Sequence, residues 1–179
     1  MTEEGLTKKT ITIPDGVEVN VYEDNRVEVK GDKGVISRSF SHPKIKIKKE
    51  NSSIEVLCKN PRRRDLAMLG TYVAHISNMI KGVTDGFEYK MKVVYSHFPI
   101  KTAVEGDKFL IHNFLGERTP RVAKILEGVE VEIKGENIMV RGIDKEKVGQ
   151  TVANIERATK VKNRDIRVFQ DGIYRISRG

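Results

Sequence analysis

The chain carries one pattern twice, and this repeat restricts the fold more than any other feature. Lys44-Ile45-Lys46-Ile47-Lys48-Lys49-Glu50-Asn51 aligns with Glu130-Val131-Glu132-Ile133-Lys134-Gly135-Glu136-Asn137, with the apolar positions and the Glu-Asn pair coinciding. Val73-Ala74-His75-Ile76 aligns in the same way with Val152-Ala153-Asn154-Ile155. A repeat of about half of a 179-residue chain means a duplicated domain and not a solenoid.

Within each copy the hydrophobic period changes once, from two to 3.6. Val17, Val19 and Val21 alternate with polar residues, as do Val27 and Val29, then Ile45 and Ile47. Period two with one polar face is the signature of a half-buried antiparallel sheet. Glu23-Asp24-Asn25, Gly31-Asp32-Lys33-Gly34 and Glu50-Asn51-Ser52-Ser53 supply the turns. Asn60-Pro61 then reads as an N-cap followed by a first-turn proline. Leu66, Leu69, Val73, Ile76 and Ile80 follow at helical spacing, with Met68, Tyr72 and Met79 widening the stripe, and Gly82 is expected to end the helix in a left-handed cap. In the second copy Phe109 and Ile111 alternate, Asn113–Gly116 takes the place of Gly31–Gly34, and a helix opens at Asp144 with Val148, Val152, Ile155 and Thr159 on one face. The expected fold class is α+β: two tandem copies of an antiparallel β-sheet covered on one face by a single helix. Residues 1–83 form the first copy and residues 84–179 the second. A sheet with one apolar face needs such a cover.

The copies differ at one place. Asp85-Gly86-Phe87 follows the first helix and Asp171-Gly172-Ile173 the second, but Val73 to Asp85 is twelve positions and Val152 to Asp171 is nineteen. The second copy therefore holds seven extra residues. Charge accumulates there too: Arg157 to Arg178 contains seven Lys/Arg against two Asp/Glu. In Lys162-Asn163-Arg164-Asp165-Ile166-Arg167-Val168-Phe169-Gln170-Asp171-Gly172-Ile173-Tyr174, cationic donors interleave with rings around an expected Gln-Asp-Gly turn, which suits structured RNA. The whole chain has a net charge of +8, favouring an anionic partner, nucleic acid before membrane.

Other function classes find little support. His42, His75, His97 and His112 lack partners at metal-ligand spacing, and the single cysteine, Cys58, reads as a small buried side chain in a protein of a reducing compartment. Ser96-His97 places adjacent side chains on opposite faces of a strand, which rules the pair out as nucleophile and base. Gly31–Gly34 lacks the spacing of a phosphate-binding loop. Neither an apolar leader nor a run of about 18 apolar residues is present, so a cytoplasmic protein without membrane attachment is expected. Catalysis and a cofactor are not expected.

Asn78-Met79-Ile80-Lys81-Gly82-Val83-Thr84-Asp85-Gly86-Phe87, Asn113-Phe114-Leu115-Gly116-Glu117-Arg118 and above all the Lys162–Tyr174 run resemble the universal large-subunit ribosomal protein family numbered six. The similarity covers about residues 10–176 and includes the duplication. It is to the archaeal and eukaryotic branch, and the short chain without long extensions leans archaeal. The resemblance implies a structural protein bound to large-subunit (23S) rRNA near the stalk base and the factor-binding region, with neighbouring large-subunit proteins as further partners and no DNA. It implies a first domain facing proteins and a second making most of the rRNA contact. Lys160, Lys162, Arg164, Arg167, Gln170, Tyr174, Arg175 and Arg178 of the tail are the expected RNA-binding residues, with Arg118 and Arg121 as an extension from their loop. The competing readings are a basic protein–protein adaptor that binds no RNA and, with no candidate pocket, a small-molecule enzyme.

Overall fold

In the computed structural model residues 6–178 are described; the side chain of Arg178 falls outside the described residues. The chain divides into two compact units, Met1–Asp85 and Gly86–Gly179, a boundary two residues later than the expected seam. The strands of each unit form two antiparallel sheets, and one helix packs against strands of both.

In the first unit β1 (Leu6–Thr12), β6 (Ser53–Lys59) and β5 (Ile45–Glu50) form one sheet, in that order. A second sheet contains β2 (Glu18–Val21), β3 (Arg26–Gly31) and β4 (Gly34–Ser39). Alternation decides what is buried: Val19, Val27, Val29, Ile45, Ile47, Ile54, Val56 and Cys58 point into one core with α1 (Arg63–Thr84). Burial pushes the Cys58 thiol up, consistent with an inert side chain. Asn25 closes the exposed edge of β5. Its backbone turns left-handed at φ 58°, and its amide accepts from the Ile47 N–H at 3.3 Å and donates to the Ile45 carbonyl at 3.4 Å. These two bonds block the first part of that edge against a foreign strand.

The first helix departs from expectation at both ends. Asn60 sits at φ 43° and is no N-cap; that position belongs to Arg62 in extended backbone. Asp65 makes the start stable by accepting the Arg62 N–H at 2.9 Å. That hydrogen bond, followed by Lys44 and His42, holds the Asp65 carboxyl below its ordinary range. At the other end Gly82 is a buried helical residue, the helix runs on to Thr84, and Gly86 takes the left-handed position at φ 75°. The β3–β4 hairpin explains the extension. The Lys33 N–H donates to the Val83 carbonyl at 3.0 Å, and the Lys33 ammonium donates to the Asp85 carbonyl. These donors satisfy carbonyls that a helix end otherwise leaves to water. The contact needs glycine at position 31, because a Cβ there would lie 2.8 Å from the Val83 oxygen. Leu66 and Met68, expected in the apolar stripe, are 44% and 38% exposed, since the core face begins at Leu69.

In the second unit β8 (Lys101–Glu105), β9 (Lys108–His112) and β10 (Arg121–Lys124) form a three-stranded sheet. The larger sheet has the order β11 (Val129–Lys134), β12 (Asn137–Gly142), β7 (Phe87–Val94) and β13 (Gly172–Arg178). The core joins Met91, Phe109, Ile111, Phe114, Ile138 and Val140 to α2 (Lys145–Ala158) through Val148, Val152 and Ile155. Asp144 caps α2 as expected, accepting from the N–H groups of Glu146 at 2.9 Å and Lys147 at 3.4 Å.

The aligned Glu-Asn pairs do not occupy equivalent places. In the first unit Glu50 pairs with Ser53 and Asn51 turns at φ 50°; in the second Lys134 pairs with Asn137 and Gly135 turns at φ 62°. Gly135 adopts a left-handed φ without a Cβ clash, so that hairpin closes earlier, whereas Lys49 stands at the matching place and the turn waits for Asn51.

Candidate nucleic-acid interface

The extra residues of the second unit form an irregular loop between α2 and β13, spanning residues 159–171. It leaves the helix at Thr159, whose hydroxyl donates back to the carbonyls of Ile155 at 3.4 Å and Glu156 at 3.2 Å and accepts the Ile173 N–H at 3.1 Å. In the middle, Asn163 is left-handed at φ 58°, and the Asp165 carbonyl accepts from Val168 and Phe169 at 3.1 and 2.9 Å. The Asp165 carboxylate accepts the Arg167 N–H at 2.9 Å, which tightens the same turn. The expected Gln-Asp-Gly turn is absent. Asp171 is 1% exposed, and Gly172 already begins β13. Burial of Asp171 moves the reversal upstream: one carboxylate oxygen accepts the Ser96 N–H at 3.3 Å, and the other is buried without a hydrogen-bond partner.

Most of the expected cations converge on this loop. Lys160, Lys162, Arg164, Arg167 and Gln170 are all exposed on it. The Arg164 guanidinium lies 4.8 Å from the Phe169 ring centre, a cation–π contact that orients the charge while leaving it near water. Arg167 is 87% exposed and its fork closes on Asp165 at 2.9 Å, which raises the Arg167 pKa and lowers that of Asp165. Such an exposed pair opens readily to a phosphate. Tyr174 follows on β13, half exposed, and its hydroxyl donates to the Gln170 carbonyl at 2.8 Å. Its neighbour Arg175 alternates to the other face, with its N–H on Glu156 at 3.1 Å. Arg118 is exposed on the loop before β10.

Arg121 has a different place. Its guanidinium takes Glu117 side-on, Nε to one carboxylate oxygen at 2.8 Å and Nη2 to the other at 2.6 Å. Nη1 donates to the carbonyls of Ala158 at 2.9 Å and Lys160 at 3.0 Å. The buried Phe114 ring lies beneath it, 4.2 Å away. Glu117 and Phe114 are presented by a strained turn in which Asn113, Leu115 and Gly116 take φ of 58°, 51° and 78°. For Leu115 that conformation costs about 1–2 kcal/mol, so packing of its buried side chain must hold it there. Arg121, with a further contribution from Arg164, keeps the Glu117 carboxyl below the usual range.

Three features of the site were missed in reading the sequence. Ile166 and Val168 are 69% and 62% exposed between the cations, and the sequence signal for them was the interruption of charge in Asp165-Ile166-Arg167-Val168. An open groove of about 560 Å³ runs between the end of α2, the loop and β13, with Val161, Ile166 and Phe169 on its walls and Lys160 at its rim. The partnership of Glu117 with Arg121 completes the set. Among the described residues no cluster of His, Cys, Asp and Glu could hold a metal ion, and no helix is long and apolar enough to cross a membrane.

Comparison with known proteins agrees with the duplication. The family model described as Ribosomal protein L6 matches the chain over residues 13–86 and 98–172. Similar curated proteins, from archaea, carry the name Large ribosomal subunit protein uL6. That of Methanobrevibacter smithii is 52% identical over 171 residues, 96% of each chain. That of Methanothrix thermoacetophila is 52% identical over 178 residues, 99% of each, and that of Methanococcus vannielii 50% identical over 173 residues, 97% of this chain and 94% of the relative. Two β-rich units with one helix each, matched over nearly the full length, place the chain in the ribosomal protein L6 family.

Proposed function

We propose that this chain is a structural protein of the large ribosomal subunit that holds large-subunit rRNA through the 159–171 loop, near the stalk base and the factor-binding region, and works in the cytoplasm. The observation that carries the reading is the loop itself. The second unit has seven residues that the first lacks, and they are tied at both ends while Lys162, Arg164 and Arg167 stand exposed between the ties. A fixed array of cations neutralises phosphates, releases their counterions and reads shape rather than base sequence. Ile166 and Val168 add apolar surface beside the cations, suited to ribose edges in a shallow minor groove. No reaction belongs to this role.

The first unit, on the same reading, faces neighbouring proteins of the subunit. Its exposed Leu66 and Met68 on α1, and a groove of about 680 Å³ with Leu6 and Leu57 between Lys46, Lys48 and Lys59, support a polypeptide partner there. The described groove lining contains no aromatic ring or arginine on which a base would stack.

The test is the affinity of the intact chain for large-subunit rRNA, measured against salt. Lys162→Ala with Arg164→Ala is expected to flatten the log–log salt slope by about two and to weaken binding at every salt concentration. An unchanged slope in the double variant overturns the loop as the docking element.

A further inference from the structure

We propose that Arg121, held by Glu117, is a positioning residue: it fixes the root of the RNA-docking loop and does not itself touch the RNA. This rests on the reading of the loop given above and adds the part that holds it in shape. Three observations lead there. First, both edges of the guanidinium are occupied, one by the two Glu117 oxygens and the other by the carbonyls of Ala158 and Lys160, and the Phe114 ring lies beneath it. Only 22% of the side chain is exposed, so no open fork remains for a phosphate. Second, the two carbonyls belong to the last residue of α2 and to the loop residue two places on, and Arg121 thereby bridges the point where helix becomes loop. Third, the far end is fixed independently: Tyr174 holds Gln170, and Asp171 is buried on the Ser96 N–H. A loop tied at both ends loses less freedom when RNA orders it, and binds more tightly with no added contact.

Lysine cannot replace this arginine. Its ammonium is a point charge on a flexible stem and cannot satisfy a carboxylate and two carbonyls in one plane. Glu117 contributes by aiming the fork, although as a carboxylate close to a cationic loop it would repel an incoming phosphate. The two roles open to Arg121 therefore predict opposite signs for one substitution. If Arg121 contacts RNA directly, Glu117→Gln frees its fork, removes a negative charge and tightens binding. If Arg121 is a positioning residue, Glu117→Gln loosens the loop and weakens binding.

The experiment combines rRNA affinity across a salt series with amide hydrogen exchange over Val161–Phe169 of the free protein, for Glu117→Gln, Arg121→Lys and the Lys162→Ala/Arg164→Ala double variant. The expected result for both clamp variants is binding weakened roughly three- to tenfold, an unchanged salt slope and faster exchange across the loop. Tighter binding by Glu117→Gln, or parental exchange rates in both clamp variants, overturns the proposal. Glu117→Gln removes a half-exposed charge and keeps the shape, so it carries the test if Arg121→Lys does not fold. Clamp variants that bind like the parent beside a weakened double variant sink the clamp alone. A double variant that binds like the parent sinks the docking reading itself.

Discussion

The two units start from one plan and end their helices differently. In the first, α1 continues through Gly82 to Thr84, and Lys33 of the β3–β4 hairpin meets its last carbonyls. In the second, α2 stops at Ala158, and Arg121 takes the carbonyl of the helix end together with that of Lys160. Each unit thus brings one cation to its helix C-terminus, Lys33 from the β2–β4 sheet and Arg121 from the β8–β10 sheet, where the helix dipole favours it. The lysine gives its backbone N–H to one carbonyl and its ammonium to another, and extends a helix. The arginine is a planar fork with its own carboxylate and ring, and it redirects the chain into a loop. That loop leads into β13, for which neither three-stranded sheet of the first unit has a counterpart. Duplication therefore supplies the scaffold, and the change at one helix end supplies an exposed cationic loop that the first unit lacks.

The comparison breaks most sharply at the hairpin tips. Phe114 is fully buried under Arg121, while the matching tip in the first unit holds the exposed Asp32. Phe114→Ala is expected to destabilise the second unit by about 3–5 kcal/mol. Hydrogen exchange in denaturant, resolved by unit, should show the loss confined to residues 86–178; an equal loss in the first unit would contradict two separate cores. Gly31→Ala probes the other tip. Its Cβ would crowd the Val83 oxygen and side chain, and a cost of about 1–3 kcal/mol is expected in the first unit alone. If equilibrium unfolding of the first unit does not move, the hairpin does not clamp α1 as described.

The smallest effect is electrostatic. Because the folded Glu117 pKa lies below its unfolded value, near 4.3, its contribution is fully present above that value and is lost as pH falls through the lowered one. Protection over Val161–Phe169, taken relative to the intrinsic exchange rate at each pH, should fall on acidification through that range. Arg167 also holds the Asp165 carboxyl below its ordinary range, so the part due to Glu117 is the part that disappears in Glu117→Gln. The first unit's cap pairs an ammonium with a backbone carbonyl and has no carboxylate in it. Its exchange profile near Val83 is expected to lack this acid limb.

Residue order alone was enough for the features that depend on local periodicity. Alternation at Val27 and Val29 and at Phe109 and Ile111 marked core strands, and Asp144 announced α2, because strand faces and helix caps are set by neighbours a few positions apart. The duplication was visible for the same reason. The extra residues of the second unit, and the cations on them, could be counted in the chain.

Contacts across sequence distance decided the rest. Whether α1 stops at Gly82 or runs to Thr84 depends on a hairpin 50 residues upstream of it. Aligned letters also misled where context changed: the turn takes the Asn of the Glu-Asn pair in the first unit and the Glu in the second, and Asp-Gly is an exposed helix end at Asp85 but a buried strand entry at Asp171. Among the arginines, Arg164 of the tail and, as a weaker extension from its loop, Arg121 are both expected at the RNA from the sequence. Only the folded chain separates them, because an arginine is available to a partner or not according to how many of its donors the protein already holds, and that is settled by which backbone carbonyls the fold brings within 3.0 Å of it.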